Sequence, residues 1–275
     1  MPFLEYSKKN TFMHKSHPIT KIMFLLTFLI IAGLYWDFRY LLPFLLISII
    51  LYVAVKAPKS WIKYIVSILL ISIPTSGWIT LFQTNPSLYK VYPPEFVSQK
   101  IFTCDLPLLG TAGLTYGSLL WLCGFVIKWA ITLLVVSIFT YTTSPVEIAH
   151  LFAQIKSLVP LSYVFMVAMR FVPALQRILG EVISIQSLRG WSSPGRNVSK
   201  YPEMLKPIMQ PFVSRTFLQV EEVSIAAQMR GFGSGKVTMV RANKLTFAEI
   251  IILLIFTSTL ILAFAGLLLY NIGLL

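Results

Sequence analysis

The residues best suited to chemistry in this sequence are two arginines set in one repeated pattern. Glu181-Val-Ile-Ser-Ile-Gln-Ser-Leu-Arg-Gly-Trp191 and Glu222-Val-Ser-Ile-Ala-Ala-Gln-Met-Arg-Gly-Phe232 both open with an acid and close on Arg-Gly-aromatic, with Arg189 and Arg230 41 positions apart. An arginine keeps its charge when partly desolvated and grips a carboxylate through two parallel hydrogen bonds, so the chemistry offered is docking. The pattern predicts two helices that each stop at their arginine. Gly190 and Gly231 can take the left-handed conformation that closes a helix, and a cation in the last turn meets the negative end of the helix dipole. Capping alone explains either arginine taken singly. Two such boxes on one basic segment between hydrophobic spans point to a paired docking device.

Other chemistries find little support. Gly231-Phe-Gly-Ser-Gly-Lys236 has Arg230 where a phosphate loop needs glycine and Val237 where it needs serine or threonine. No HExxH, GxSxG or paired intramembrane carboxylates occur, and His14, His17 and His150 are too scattered for a metal site. Cys104 and Cys123 have neither CxxC nor metal spacing, which argues against a disulfide framework. A catalytic role, a bound cofactor and a metal centre are therefore not expected of this chain.

The elements that position the boxes are those of a membrane protein. Of 275 residues 56% are apolar and only 12% charged, with a mean hydropathy of +0.77, whereas soluble domains carry about 25% charge. Apolar runs at 22–35, 40–55, 61–82, 113–141 and 246–270 predict five spans in an all-α polytopic protein, with Lys128 inside the fourth and its role open. Residues 83–112, with four prolines and balanced charge, read as an outer loop. Residues 142–245 read as long amphipathic coupling helices that cross or pair, between a membrane domain over 1–141 and a final span over 246–275. Phe171, Leu175, Ile178 and Val182 form one apolar stripe at steps of three and four, and Met209, Val213, Phe217 and Val220 form another. Residues 161–172 are apolar enough to dip into the bilayer. Twenty-three Lys+Arg stand against ten Asp+Glu. The positive-inside rule places the basic patches in the cytoplasm, with the N-terminus inside and the C-terminus outside the cell membrane. Basic charge spread among acids and apolar stripes argues against nucleic acid as a partner.

Six short motifs in order resemble the transmembrane T component of energy-coupling-factor (ECF) transporters, the CbiQ-like family of ABC-type importers. They are His17-Pro-Ile-Thr-Lys21, Leu109-Gly-Thr-Ala-Gly-Leu114, Thr142-Thr-Ser-Pro-Val-Glu147, Ala168-Met-Arg-Phe-Val-Pro173 and the two Arg-Gly boxes. The second box keeps the small residue Ala226 four positions before its arginine. The first has Ile185 there, and the opening motif has His17 and Ile19 where an acid and an arginine are usual. The resemblance implies a non-catalytic coupling subunit for uptake of a vitamin or a transition-metal ion such as cobalt or nickel. Its ATPase-docking residues would be Arg189, Gly190, Ala226, Arg230 and Gly231, facing two ABC-type ATPase subunits that hold ATP and Mg. A substrate-binding S component in the bilayer would share the stripes, namely Phe171, Leu175, Ile178, Val182, Val213, Phe217 and Val220. The alternative is a self-sufficient secondary transporter or channel, which calls for an internal repeat and several intramembrane charges. No repeat is evident, and Lys128 is the one charge deep in a span.

Overall fold

A computed structural model describes residues 11–57, 59–82, 93, 95, 99–106, 110–154, 159–191, 201–232 and 246–270. Two compact units emerge: Met1–Ser144 with Asn243–Leu275, and Pro145–Ala242. The first contains α1 (Phe12–Lys15), α2 (Pro18–Leu34), α3 (Phe38–Ala54), α4 (Lys59–Phe82), a hairpin of β1 (Lys100–Leu106) and β2 (Gly110–Thr115), α5 (Tyr116–Thr142) and α9 (Phe247–Tyr270). The second holds α6 (Pro145–Gln154), α7 (Val159–Leu188) and α8 (Tyr201–Met229).

In the first unit α5 is central and packs against α2, α3 and α4, while α9 lies on α2. Its core is aliphatic and aromatic: Phe24, Phe28 and Ile31 of α2, Leu41 of α3, and Ile131, Val135 and Ile138 of α5 are all buried. Phe28 meets Phe44 edge-on with ring centroids 5.6 Å apart, and the Tyr35 hydroxyl donates to the Ala263 carbonyl at 3.1 Å. The outward faces are equally apolar. Ile50 of α3, Ile71 of α4 and Leu262 of α9 are 66%, 64% and 70% exposed, which only a hydrocarbon surrounding makes tolerable. Among the described residues three helices, α5, α7 and α9, are long and apolar enough to cross a membrane, and α2, α3 and part of α4 form shorter apolar helices. This is an all-helical membrane protein, with the hairpin as its non-helical element among the described residues.

The structure changes several sequence expectations. The expected outer loop holds an antiparallel hairpin, with Cys104 in β1 and Gly113 in β2, so the span expected to start near Gly113 starts at Tyr116. The start is fixed by a reciprocal cap. Thr115 Oγ1 accepts from the Ser118 amide at 3.2 Å, and Ser118 Oγ accepts from the Thr115 amide at 2.9 Å. The first apolar helix begins four residues early, at Pro18, where proline takes the first helical position and His17 Nδ1 accepts from the Ile19 amide at 3.3 Å; Lys21, inside it, is buried and bonded. The 161–172 stretch belongs to the unbroken 30-residue α7.

Gly124 marks a close approach. A Cβ there would lie 2.5 Å from the main-chain oxygen of Trp36, whose ring stacks on Trp121 at 5.6 Å. Gly124→Ala is expected to cost about 1–3 kcal/mol by overpacking and to lower Tm in detergent. Gly33→Ala, with nothing within 4 Å of the added methyl, is the control expected to stay near wild type.

Candidate functional site

The two Arg-Gly boxes end their helices in the same way. Gly190 and Gly231 have φ of +84° and +74°. At the first box the Gly190 amide donates to the Ser187 carbonyl at 3.1 Å and the Trp191 amide to the Gln186 carbonyl at 3.0 Å. At the second, Gly231 donates to Gln228 at 2.9 Å and Phe232 to Ala227 at 3.1 Å. Both are Schellman closures, which satisfy otherwise orphaned carbonyls and require a left-handed residue after the arginine. Identical closures fix identical backbone directions at the two arginines. Arg189 and Arg230 are exposed, and among the described residues neither guanidinium has a carboxylate partner. Ala226 is exposed one turn before Arg230, and Ile185 is 39% exposed at the corresponding place in α7.

How α7 and α8 pair decides where the boxes stand. Gln186 Nε2 donates to the Pro207 carbonyl at 2.9 Å, Arg215 meets Glu181 at 2.9 Å, and Tyr163 packs on Phe232 with ring centroids 4.0 Å apart. As the number rises along one helix it falls along the other, so the pair is antiparallel and not crossed at a point. The boxes therefore sit at opposite ends of the pair. From Tyr163 to Gln186 the rise of 1.5 Å per residue gives a separation of roughly 35 Å.

The stripe of Phe171, Leu175, Ile178 and Val182 does line the covered side of α7, with Val182 buried and the other three half-buried. On α8 the covered side is one residue out of phase with the expected stripe. Ile208 is buried and Phe212, Thr216, Gln219, Val223 and Ala227 are half-buried, whereas Met209, Val213, Phe217 and Val220 are 45%, 41%, 70% and 48% exposed. Neighbouring positions on a helix point about 100° apart, so two apolar rows run side by side and α7 covers only one. An open groove of about 580 Å³ follows this seam near the second box. Tyr163 and Phe171 of α7, Val220 and Ala227 of α8 and the ring of Phe232 line it. Tyr163 lay outside the expected stripe, and only its pairing with Phe232, 69 positions away, brings it here.

Lys128 has a local assignment in the first unit. Its ammonium stands 3.6 Å from the centre of the Trp36 ring and donates to the Gly33 carbonyl at 3.2 Å, in the last turn of α2. The ring face and the helix dipole both favour a cation there. Lys128→Met should cost about 0.5–2 kcal/mol of stability, read as a lower Tm in detergent. Among the described residues no group of three or more His, Cys, Asp or Glu could hold a metal ion.

Residues 9–240 match the profile of the CbiQ family, described as cobalt transport protein. The chain is similar to proteins named energy-coupling factor transporter transmembrane protein EcfT. That of Brevibacillus brevis is 23% identical over 260 residues, 88% of each chain. That of Ruminiclostridium cellulolyticum is 22% identical over 90% of each chain, and that of Listeria innocua 25% over 84% of each.

Proposed function

Because the chain belongs to the CbiQ cobalt transport protein family, we propose that it is the coupling subunit of an ECF-type importer and docks one ATPase at each Arg-Gly box. Its role as a transmembrane component of such a transporter accords with the EcfT proteins it resembles. The observation that carries this is the pair of matched helix ends, each presenting an exposed arginine with no carboxylate partner among the described residues. Ends roughly 35 Å apart suit two separate globular partners better than one. ATP and Mg belong to those ATPases, and hydrolysis takes place there. This chain converts their approach and separation into movement of the α7–α8 pair.

The exposed row of Val213 and Phe217, together with the groove beside Val220, is the surface we assign to a membrane-embedded S component, which carries the vitamin or transition-metal ion. Burial of Phe217, 70% exposed, would give about 1.5–3 kcal/mol. The topology that serves this arrangement has the N-terminus and residues 142–245 in the cytoplasm and the C-terminus outside the cell membrane.

The test is capture from detergent. The tagged chain, co-expressed with ABC ATPases of its own genome, is expected to bring them down, and Arg189→Glu/Arg230→Glu is expected to lose them while staying monodisperse. Undiminished capture by the double variant would remove the boxes from the account. For the S component, photocrosslinking from position 217 is expected to yield a second membrane protein; lipid adducts alone would refute that assignment.

A further inference from the structure

The segment from His14 to Lys21 holds two helix ends of the first unit, the last residue of α5 and the first turn of α9. Lys21 is 2% exposed and donates its Nζ to the Thr142 carbonyl at 2.9 Å and to the His14 carbonyl at 3.5 Å. Thr142 is the last residue of α5, and the second unit begins three residues later at Pro145. One turn before Lys21, the buried His17 donates its main-chain amide to Glu249 Oε1 at 2.5 Å. Glu249 Oε2 accepts from the Thr246 amide at 2.8 Å. Thr246 and Glu249 open α9, the helix on which the chain returns after the second unit ends at Ala242.

Physical chemistry explains why these groups meet. The final carbonyls of α5 have no partner within the helix and lie at the negative end of its dipole, where an ammonium is favoured. The first amides of α2 and α9 are orphaned in the opposite sense and share one carboxylate. Lys21 and His17 stand one turn apart at the start of α2, so that turn bridges the α5 end and the α9 start.

We infer that Lys21 and Glu249 are positioning residues of a single clasp that fixes the spacing of the two chain connections to the coupling helices. What the clasp serves, the passage of displacement from coupling helices to membrane helices, rests on the proposed function; the clasp itself does not.

The test is hydrogen–deuterium exchange on the full chain in detergent, comparing wild type, Lys21→Met, Glu249→Gln and the double variant. One clasp means that each change acts at the far site. Glu249→Gln is expected to speed exchange of residues 143–149 at least tenfold, and Lys21→Met that of residues 247–252, with the double variant adding less than the product. Exchange of residues 131–138 in the core of α5 should be unchanged. If each substitution loosens only its own helix end and the effects multiply, these are two independent caps and the inference fails. Should Lys21→Met not fold, Glu249→Gln decides alone through residues 143–149. Neither ATPase nor cargo is present, so failure here leaves the docking account standing, and failure to capture ATPases leaves the clasp standing.

Discussion

Arg230→Glu is expected to weaken ATPase capture by about 30- to 4,000-fold, with no change in the thermal unfolding of the membrane domain. The magnitude follows from losing a desolvated, hydrogen-bonded interfacial charge, about 2–5 kcal/mol, with one affinity decade per 1.4 kcal/mol. Stability should hold because Arg230 is exposed and has no ion-pair partner among the described residues. Arg230→Lys separates shape from charge. Lysine keeps the positive end but not the planar fork, so a loss of about tenfold is expected. Titration of the captured ATPase against the purified chain measures both. Equal affinity for Arg, Lys and Glu at position 230 would mean that the box is only a helix cap.

The second large effect is expected at Gly190. A Cβ built there meets nothing within 4 Å, yet φ is +84°, so any cost arises from the backbone and not from crowding. A left-handed non-glycine residue costs about 1–2 kcal/mol, and a β-branched one more. Gly190→Val should therefore open the Schellman closure, redirect Arg189 and weaken capture by about 5- to 30-fold or more. Gly190→Asn is the discriminating control, since asparagine enters the left-handed region readily. If Asn behaves like Val, the side chain is excluded by a partner and conformation is not the cause.

Much of this was legible in the sequence where the cause is local. An arginine followed by glycine announces a helix end, and both ends are closed as that pattern requires. The stripe from Phe171 to Val182 was legible because three- and four-residue spacing fixes a face. On α8 the same spacing leaves two rows open. Ile208–Phe212–Thr216 and Met209–Val213–Phe217 are adjacent rows, and periodicity cannot say which one the neighbouring helix covers. The hairpin over 100–115 was hidden by the prolines around it, which signal loops more loudly than Ile101 and Thr103 signal a strand. The clasp was least legible. In the sequence Lys21 is only the end of the opening motif, because the carbonyl that makes its burial possible lies 121 positions away.

If each box docks one ATPase as proposed, native mass spectrometry of the captured complex counts the subunits. Two ATPases per chain are predicted for wild type, one each for Arg189→Glu and Arg230→Glu, and none for the double variant. A complex in which either single substitution removes both ATPases or neither would contradict the account of two separate docking ends.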